Sequence, residues 1–266
     1  MKLKKQIAIV LFLLPMALYG QDTIYMDKNH EKTKLKTLAE SYRLKRPDPA
    51  VEGGKIVTEY YLSGKLKSEY HVVVVLDEKT KKNKDVQEGT FKMWYESGQL
   101  KRDIDYHQNK IDGYLTTYWE NGKQKRHDLY QEDNVVEGKC YDEKGHETAY
   151  YPFHTWAEFT GGEKVMLLLI STSLKCPVDA QKARIRGEVI VHFVIDTTGL
   201  VTDIRIKKGL CPSIDKEVMR VISMLTRFRP GETDGEKAPE GNTLPIFFHL
   251  GGEAKIINER FNRSSF

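Results

Sequence analysis

Alternation of apolar and polar side chains is cleanest between Arg186 and Leu250. Val189, Val191, Phe193 and Ile195 occupy every second position, the mark of a strand with one buried face. Asp196 to Gly199 follows as a turn, with glycine where a positive φ is expected, and a second antiparallel strand runs on from it. After Pro212 and the capping-type Ser213, the apolar residues Ile214, Val218, Val221, Ile222 and Leu225 recur at helical spacing, so one face of that helix should lie across the sheet. A final strand is written in the segment NTLPIFFHL, ending at Leu250. Upstream, Glu163 to Leu174 reads as a helix whose apolar run Val165 to Ile170 is far too short to span a membrane. Lys175-Cys176-Pro177 breaks it, and Val178 to Ala183 gives a second short helical piece. The pattern predicts a small α+β domain of βαβ type, a three-stranded antiparallel sheet with helices on one face.

A different pattern occupies residues 51–151. Relative to Gly89, Trp94, Tyr95, Gly98 and Tyr106 stand at the same offsets as Tyr118, Trp119, Gly122 and Tyr130 relative to Gly113. An earlier copy begins at Tyr60-Tyr61 and a shortened later one runs from Gly138 through Tyr141 to Gly145, giving roughly four units of about 24 residues. Aromatic residues followed by Ser-Gly, Asn-Gly or Lys-Gly predict one β-hairpin per unit. A single hairpin cannot bury its own aromatic face, whereas hairpins stacked along one sheet can. The strict period of the aromatics argues for a cross-strand ladder, with a ligand-stacking platform as the alternative. The charged insertion Asp77 to Asp85 is expected to be a solvated hairpin loop.

The ends differ in composition. Lys2, Lys4 and Lys5 precede an apolar run from Ile7 to Leu18, the plan of a secretory signal peptide over residues 1–20. Residues 21–50 form a polar linker in which LKTLAESYRLKR is expected to make one or two helical turns before Pro47 and Pro49. The domain of interest spans 152–251, and 252–266 is expected to be a tail outside the pattern.

Export changes the charge balance. The formal net charge of +4 loses three positive charges with the leader, which removes the electrostatic motive for binding nucleic acid. Cys140, Cys176 and Cys211 all lie in the exported part. An oxidising compartment permits one disulfide, and Cys176 with Cys211 is the candidate pair, the alternative being two small buried hydrophobes.

Catalytic chemistry finds little support. No pair of histidines has the i, i+4 spacing of a helical zinc site, and although His192 and His249 could converge across the sheet, a strand histidine is more often a half-buried or solvent-facing side chain. No G-x-S-x-G, P-loop or C-x-x-C is present, and Cys176 has no evident base. The reading is non-enzymatic, without cofactor or metal.

The segments GGE at Gly161 to Glu163, Lys175-Cys176-Pro177, ARIRG, GEVIVHFVIDTTG, SIDKEVMRVI, FRPG at Phe228 to Gly231 and LPIFFHL together resemble the TonB C-terminal domain in its Bacteroidetes form. The family usually has Tyr-Pro where this chain has Cys176-Pro177. The repeats resemble MORN-type, antitoxin-like repeats, carried by WYESGQL at Trp94 to Leu100 and YWENGKQ at Tyr118 to Gln124. The first resemblance implies a periplasmic domain that binds the TonB box of an outer-membrane receptor, or another envelope partner, by β-strand addition. The expected partner-binding residues are Lys175, Cys176, Pro177, Leu244, Pro245, Ile246, Phe247, Phe248 and His249. Pro245 has no N–H and so belongs at a sheet edge, where Ile246 to Leu250 would offer unpaired backbone groups. Two alternatives stand beside this reading. One is an inner-membrane-anchored energy transducer with an uncleaved N-terminus, the only case with direct membrane contact. The other is a structural repeat scaffold whose C-terminal domain forms a homodimer.

Overall fold

The computed structural model describes residues 23–27, 32–78, 81–226, 228–249, 254–256 and 262–265. The expected signal peptide, 1–20, lies outside them. Among the described residues no helix is long and apolar enough to cross a membrane. The chain divides into two compact units, the first taking most of residues 1–137 and the second most of 138–266.

One antiparallel sheet makes up the first unit and runs on past residue 137. Its early strands are β1 (Ile24–Asp27), β2 (Lys32–Thr33), β3 (Ala39–Pro47), β4 (Gly54–Tyr61) and β5 (Leu66–Asp77). The array continues through β6 (Lys82–Trp94), β7 (Leu100–His107), β8 (Lys110–Tyr118), β9 (Gln124–Gln131), β10 (Asn134–Tyr141) and β11 (Glu147–Thr148). Strand order is β11-β10-β9-β8-β7-β6-β5-β4-β3-β1-β2, an up-and-down meander in which β1 alone is inserted out of sequence order.

Four equivalent hairpin turns follow from the repeat. Gly64, Gly98, Gly122 and Gly145 take φ between +84° and +96°, and each donates its N–H to the carbonyl three residues back, at 2.9 Å. A side chain at these positions would be strained, which is why glycine recurs there. On the opposite side of the sheet Gln108-Asn109 and Glu132-Asp133 both have positive φ at both residues, the type I′ geometry that suits a two-residue hairpin.

The periodic aromatics form a ladder. The Tyr61 hydroxyl donates to the Trp94 carbonyl at 2.8 Å and the Tyr95 hydroxyl to the Tyr118 carbonyl at 2.9 Å, so each hairpin is tied to the next. Lys67, Lys101 and Lys125 lie over the rings of Tyr61, Tyr95 and Trp119, at 5.8, 4.9 and 4.3 Å from the centroids.

Register sets what is buried. One row of opposed residues, Arg43-Glu59-Ser68-Met93-Arg102-Thr117-Arg126, crosses from β3 to β9. A second row on the same face runs Lys45-Val57-Tyr70-Phe91-Ile104-Leu115-Asp128. Val57, Ile104 and Leu115 are buried, and charges are buried beside them. Glu59 accepts hydrogen bonds from Ser41 Oγ (2.5 Å), Arg43 Nε (2.6 Å) and Lys67 Nζ (2.8 Å). Arg126 donates to Asp128 at 2.7 Å with both side chains fully buried. Such charges are tolerated inside only because each is paired, since an isolated buried ion costs several kcal/mol, about 3 to 5 when one partner of a pair is removed.

Two expectations for this region need correction. Lys36–Leu38 makes a single 3-10 turn, and the segment expected to continue as helix is strand β3, with Tyr42 opposite Tyr60 and Leu44 opposite Thr58. Pairing with β4 overrides the modest helix propensity of LKTLAESYRLKR. The charged insertion is also mostly strand, because β5 and β6 stay paired out to Asp77 opposite Lys82.

Beyond the long sheet the second unit continues with the short strands β12 (His154–Thr155) and β13 (Glu158–Phe159), followed by α1 (Glu163–Ser173) and α2 (Val178–Lys182). Next come β14 (Gly187–Ile195), β15 (Val201–Lys208) and α3 (Pro212–Ser223). It closes with β16 (Phe228–Arg229), β17 (Gly231–Thr233), β18 (Glu236–Ala238), β19 (Glu240–Phe248), β20 (Ala254–Ile256) and β21 (Asn262–Ser265). The main sheet has the order β15-β14-β19-β20, and β21 also pairs with β19.

The predicted core is the observed one. Val189, Val191, Phe193 and Ile195 of β14, with Ile214, Val218, Val221, Ile222 and Leu225 of the α3 region, pack with Leu244, Ile246 and Phe248 of β19. Burying one such side chain contributes roughly 1.5–3 kcal/mol, so this cluster dominates the stability of the unit. The α3 cap differs from expectation: Cys211 is the N-cap, Pro212 takes the first helical position, and no side chain caps the helix. Proline suits that position because its missing N–H would have no helical partner there.

Candidate functional site

The expected working surface was the last strand, and β19 is indeed laid down by its own alternation. Leu244, Ile246 and Phe248 point into the core and are fully buried, whereas Phe247 is half-buried and His249 exposed, their rings 5.5 Å apart. The inner side of β19 is paired with β14 along its whole length, from Gly187 opposite Phe248 to Ile195 opposite Glu240.

The outer side is not free, which corrects the expectation of an open edge at Ile246 to Leu250. β20 lies antiparallel against Ile246, Phe247 and Phe248, and β21 against Glu240 to Thr243. The three expected strands are present in the expected order, and the segment expected to be a tail outside the pattern adds two more. Pro245 keeps a meaning close to the one expected. It falls between the stretches paired by the two tail strands, where a missing N–H costs nothing. The only hint in the sequence is Gly251-Gly252 ahead of Ile256-Ile257, a weak hairpin signal.

Lys175, Cys176 and Pro177 are held elsewhere in the unit, against α3. The Lys175 N–H donates to Glu217 Oε1 at 2.9 Å, and Gln181 Nε2 donates to the Cys176 carbonyl at 2.8 Å. Arg220 grips Glu217 through Nε and Nη2, both at 2.7 Å, and also donates to the Ser173 carbonyl. That pairing, with the Lys175 N–H, holds the Glu217 carboxyl below its ordinary range. The segment is therefore a clamped corner between helices.

Cys176 is buried and Cys211 half-buried, and both thiols are free. Burial pushes the Cys176 thiol up, and the neighbouring Cys211 and Asp179 push it further. Of the two histidines considered, His192 Nδ1 meets Thr243 Oγ1 at 3.2 Å and His249 sits against Phe247, so the fold does not gather them. Among the described residues no cluster of His, Cys, Asp or Glu is arranged to hold a metal ion.

Sequence reasoning missed one feature. Trp156, Glu158, Phe159, Glu163, Met166, Phe228 and Asn242 line a cavity of about 280 Å³. Phe159 and Phe228 meet edge to face at 5.1 Å, and Trp156 meets His154 edge to face at 4.4 Å. Glu240 Oε2 accepts the Ala157 N–H at 2.5 Å, which fixes this aromatic segment to the start of β19. A Cβ on Gly231 would stand 3.0 Å from that carboxylate and 3.1 Å from the Thr155 carbonyl, a tight approach. The sequence signal was the pair Trp156 and Phe159 just ahead of the Gly161-Gly162 break, which periodicity alone does not mark.

A hairpin, a crossing helix and a returning strand, preceded by two short helices on the same face, define a small α+β module. Residues 173–250 match the family described as Gram-negative bacterial TonB protein C-terminal. That part of the chain is similar to the C-terminal domain of TonB proteins. A comparison of the chain with curated proteins returns no match. The matched segment ends at 250, ahead of β20 and β21.

Proposed function

We propose that the chain is a periplasmic, non-enzymatic adaptor that takes up an extended segment of an envelope partner along β19, the TonB box of an outer-membrane receptor being the segment of choice. The observation behind this reading is that the outer side of β19 accepts antiparallel strands, as its pairing with β20 and β21 illustrates. Main-chain hydrogen bonds then supply affinity, and side chains on the half-exposed face supply selection. Leu244, Ile246 and Phe248 anchor the strand from within, and Phe247 and His249 are the contact residues. Lys175 to Pro177 supports the frame through α3. The hairpin sheet, continuous from β2 to β11, serves as a stiff scaffold for a second partner or as a spacer.

A synthetic box peptide from a TonB-dependent receptor, titrated into the full chain, is expected to bind saturably and to move the amide signals of Glu240 to Phe248 before any others. Absence of that response, together with a concentration-dependent homodimer formed through β19, would overturn the reading in favour of a dimerising scaffold.

A further inference from the structure

Positive charge gathers on the chain between Lys164 and Arg186. Lys164, Lys175, Lys182, Arg184 and Arg186 are all exposed, against the single carboxylate Asp179, or two if Glu163 just ahead is counted. None of the five makes an ion pair among the described residues. The carboxylates that adjoin the segment are already engaged, Glu217 by Arg220 at 2.7 Å and Glu188 by Lys208 at 3.1 Å. The cations are therefore left to an outside anion.

The same stretch exposes aliphatic side chains. Leu168 and Val178 are 62% and 65% exposed, and Val165 and Leu169 are open to solvent as well. Val165, Leu168 and Leu169 stand at helical spacing and form one stripe along α1. Ser171 and Thr172 return their hydroxyls to the Leu168 carbonyl at 2.9 and 2.8 Å, so the end of that stripe needs no water for them. Met166 and Ile170 of α1 and Ala180 of α2 enter one core, and both segments are fastened to α3, through Arg220 to the Ser173 carbonyl and Ser213 to Asp179. Their exposed sides accordingly face away from the same core. A helix that is apolar on both sides calls for a second apolar medium beyond its own core.

Aliphatic side chains set among lysines and arginines match an anionic bilayer, where the hydrocarbon enters the headgroup boundary and the cations meet phosphate. An acidic peptide would answer the cations and leave the α1 stripe in water. We propose that α1, α2 and the loop leading to β14 form a docking surface for an anionic phospholipid membrane. Leu168 and Val178 insert, and Lys164, Lys175, Lys182, Arg184 and Arg186 lie on the phosphates. A chain cleaved of its leader then still touches a membrane directly. The inference does not rest on the strand-addition reading.

The test is flotation of the chain from Gln21 onward, which holds every described residue, with vesicles of phosphatidylglycerol and phosphatidylcholine in equal parts or of phosphatidylcholine alone. Binding to the mixed vesicles is expected to be at least about tenfold tighter than to the neutral ones, and to weaken with added salt. Each cation contributes about fivefold near such a surface, so Lys182→Gln with Arg186→Gln should lower the partition coefficient roughly twentyfold. Leu168→Ser should lower it about tenfold. These side chains are exposed, so the variants are expected to melt with the parent, and the vesicle and salt series test the unaltered protein besides. No binding to the mixed vesicles, or equal binding to the neutral ones, would overturn the inference. Unchanged binding of the double variant would refute the placement of the surface. Loss in the double variant but not in Leu168→Ser would leave a mere polyanion patch, and membrane docking would fall.

Discussion

Glu59 shows at the residue scale how the repeat sheet handles charge. Burial by itself would raise its carboxyl, but Arg43, Lys67 and the Ser41 hydroxyl outweigh it and bring the value from the ordinary 4.5 to about 2. A carboxyl depressed in the folded state stabilises it fully above the unfolded value, and that contribution is lost as pH falls through 4.5 toward 2. At about 1.4 kcal/mol for each unit, the amount at stake is about 3 kcal/mol. Glu59→Gln should lower stability at pH 7 and flatten the acid limb of the stability curve between these two values. Urea titrations of both proteins across that range would show it, and parallel curves would mean that Glu59 does not carry the acid sensitivity. Sequence periodicity could not have found this residue. A glutamate flanked by aromatic and β-branched neighbours reads as a solvent-facing position, and only the register places Arg43 beside it and Lys67 within reach.

At the scale of elements, the turn from Asp196 to Gly199 joins two parts of the second unit. Asp196 Oδ1 accepts hydrogen bonds from the Thr198 N–H, the Leu200 N–H and the Thr198 hydroxyl, closing the turn, and Gly199 has φ +84°. A Cβ on Gly199 would fall 2.1 Å from the Phe228 carbonyl oxygen, which is backbone and cannot swing away. Gly199→Ala is therefore expected to cost at least about 2 kcal/mol, combining left-handed strain with a displaced β16. The thermal midpoint of the second unit should fall by roughly 10 °C. A shift within about 1 °C would mean that the turn and β16 are not in contact in solution.

This contact also marks how far the sequence is legible. The turn, both strands and the helix face were readable because each obeys a local period, and the FRPG segment was visible as part of a family resemblance. That Gly199 is required by Phe228, and that Gly231 packs tightly on Glu240, depends on chain segments about 30 and 10 residues away and leaves no periodic trace. The tail strands failed to register for a related reason. Each is too short to show alternation, and their partner had been assigned to a free edge.

For the whole molecule the three cysteines report on compartment and on the leader together. Cys140 is buried in β10, whereas Cys176 precedes α2 and Cys211 caps α3, near enough for Cys211 to help raise the Cys176 thiol. An oxidising compartment should therefore join the second pair and leave the first as a thiol. The burial that raises the Cys176 thiol slows this reaction without preventing it, because the thiolate is the attacking species. Intact-mass analysis of protein recovered from the periplasm, with and without denaturing alkylation, reads both properties at once. The expected species begins near Gln21, is lighter by two hydrogens and takes up one alkyl group, on Cys140. A mass that retains residues 1–20 would favour the anchored transducer. Three alkyl groups on a chain without its leader would show that Cys176 and Cys211 remain two buried hydrophobes.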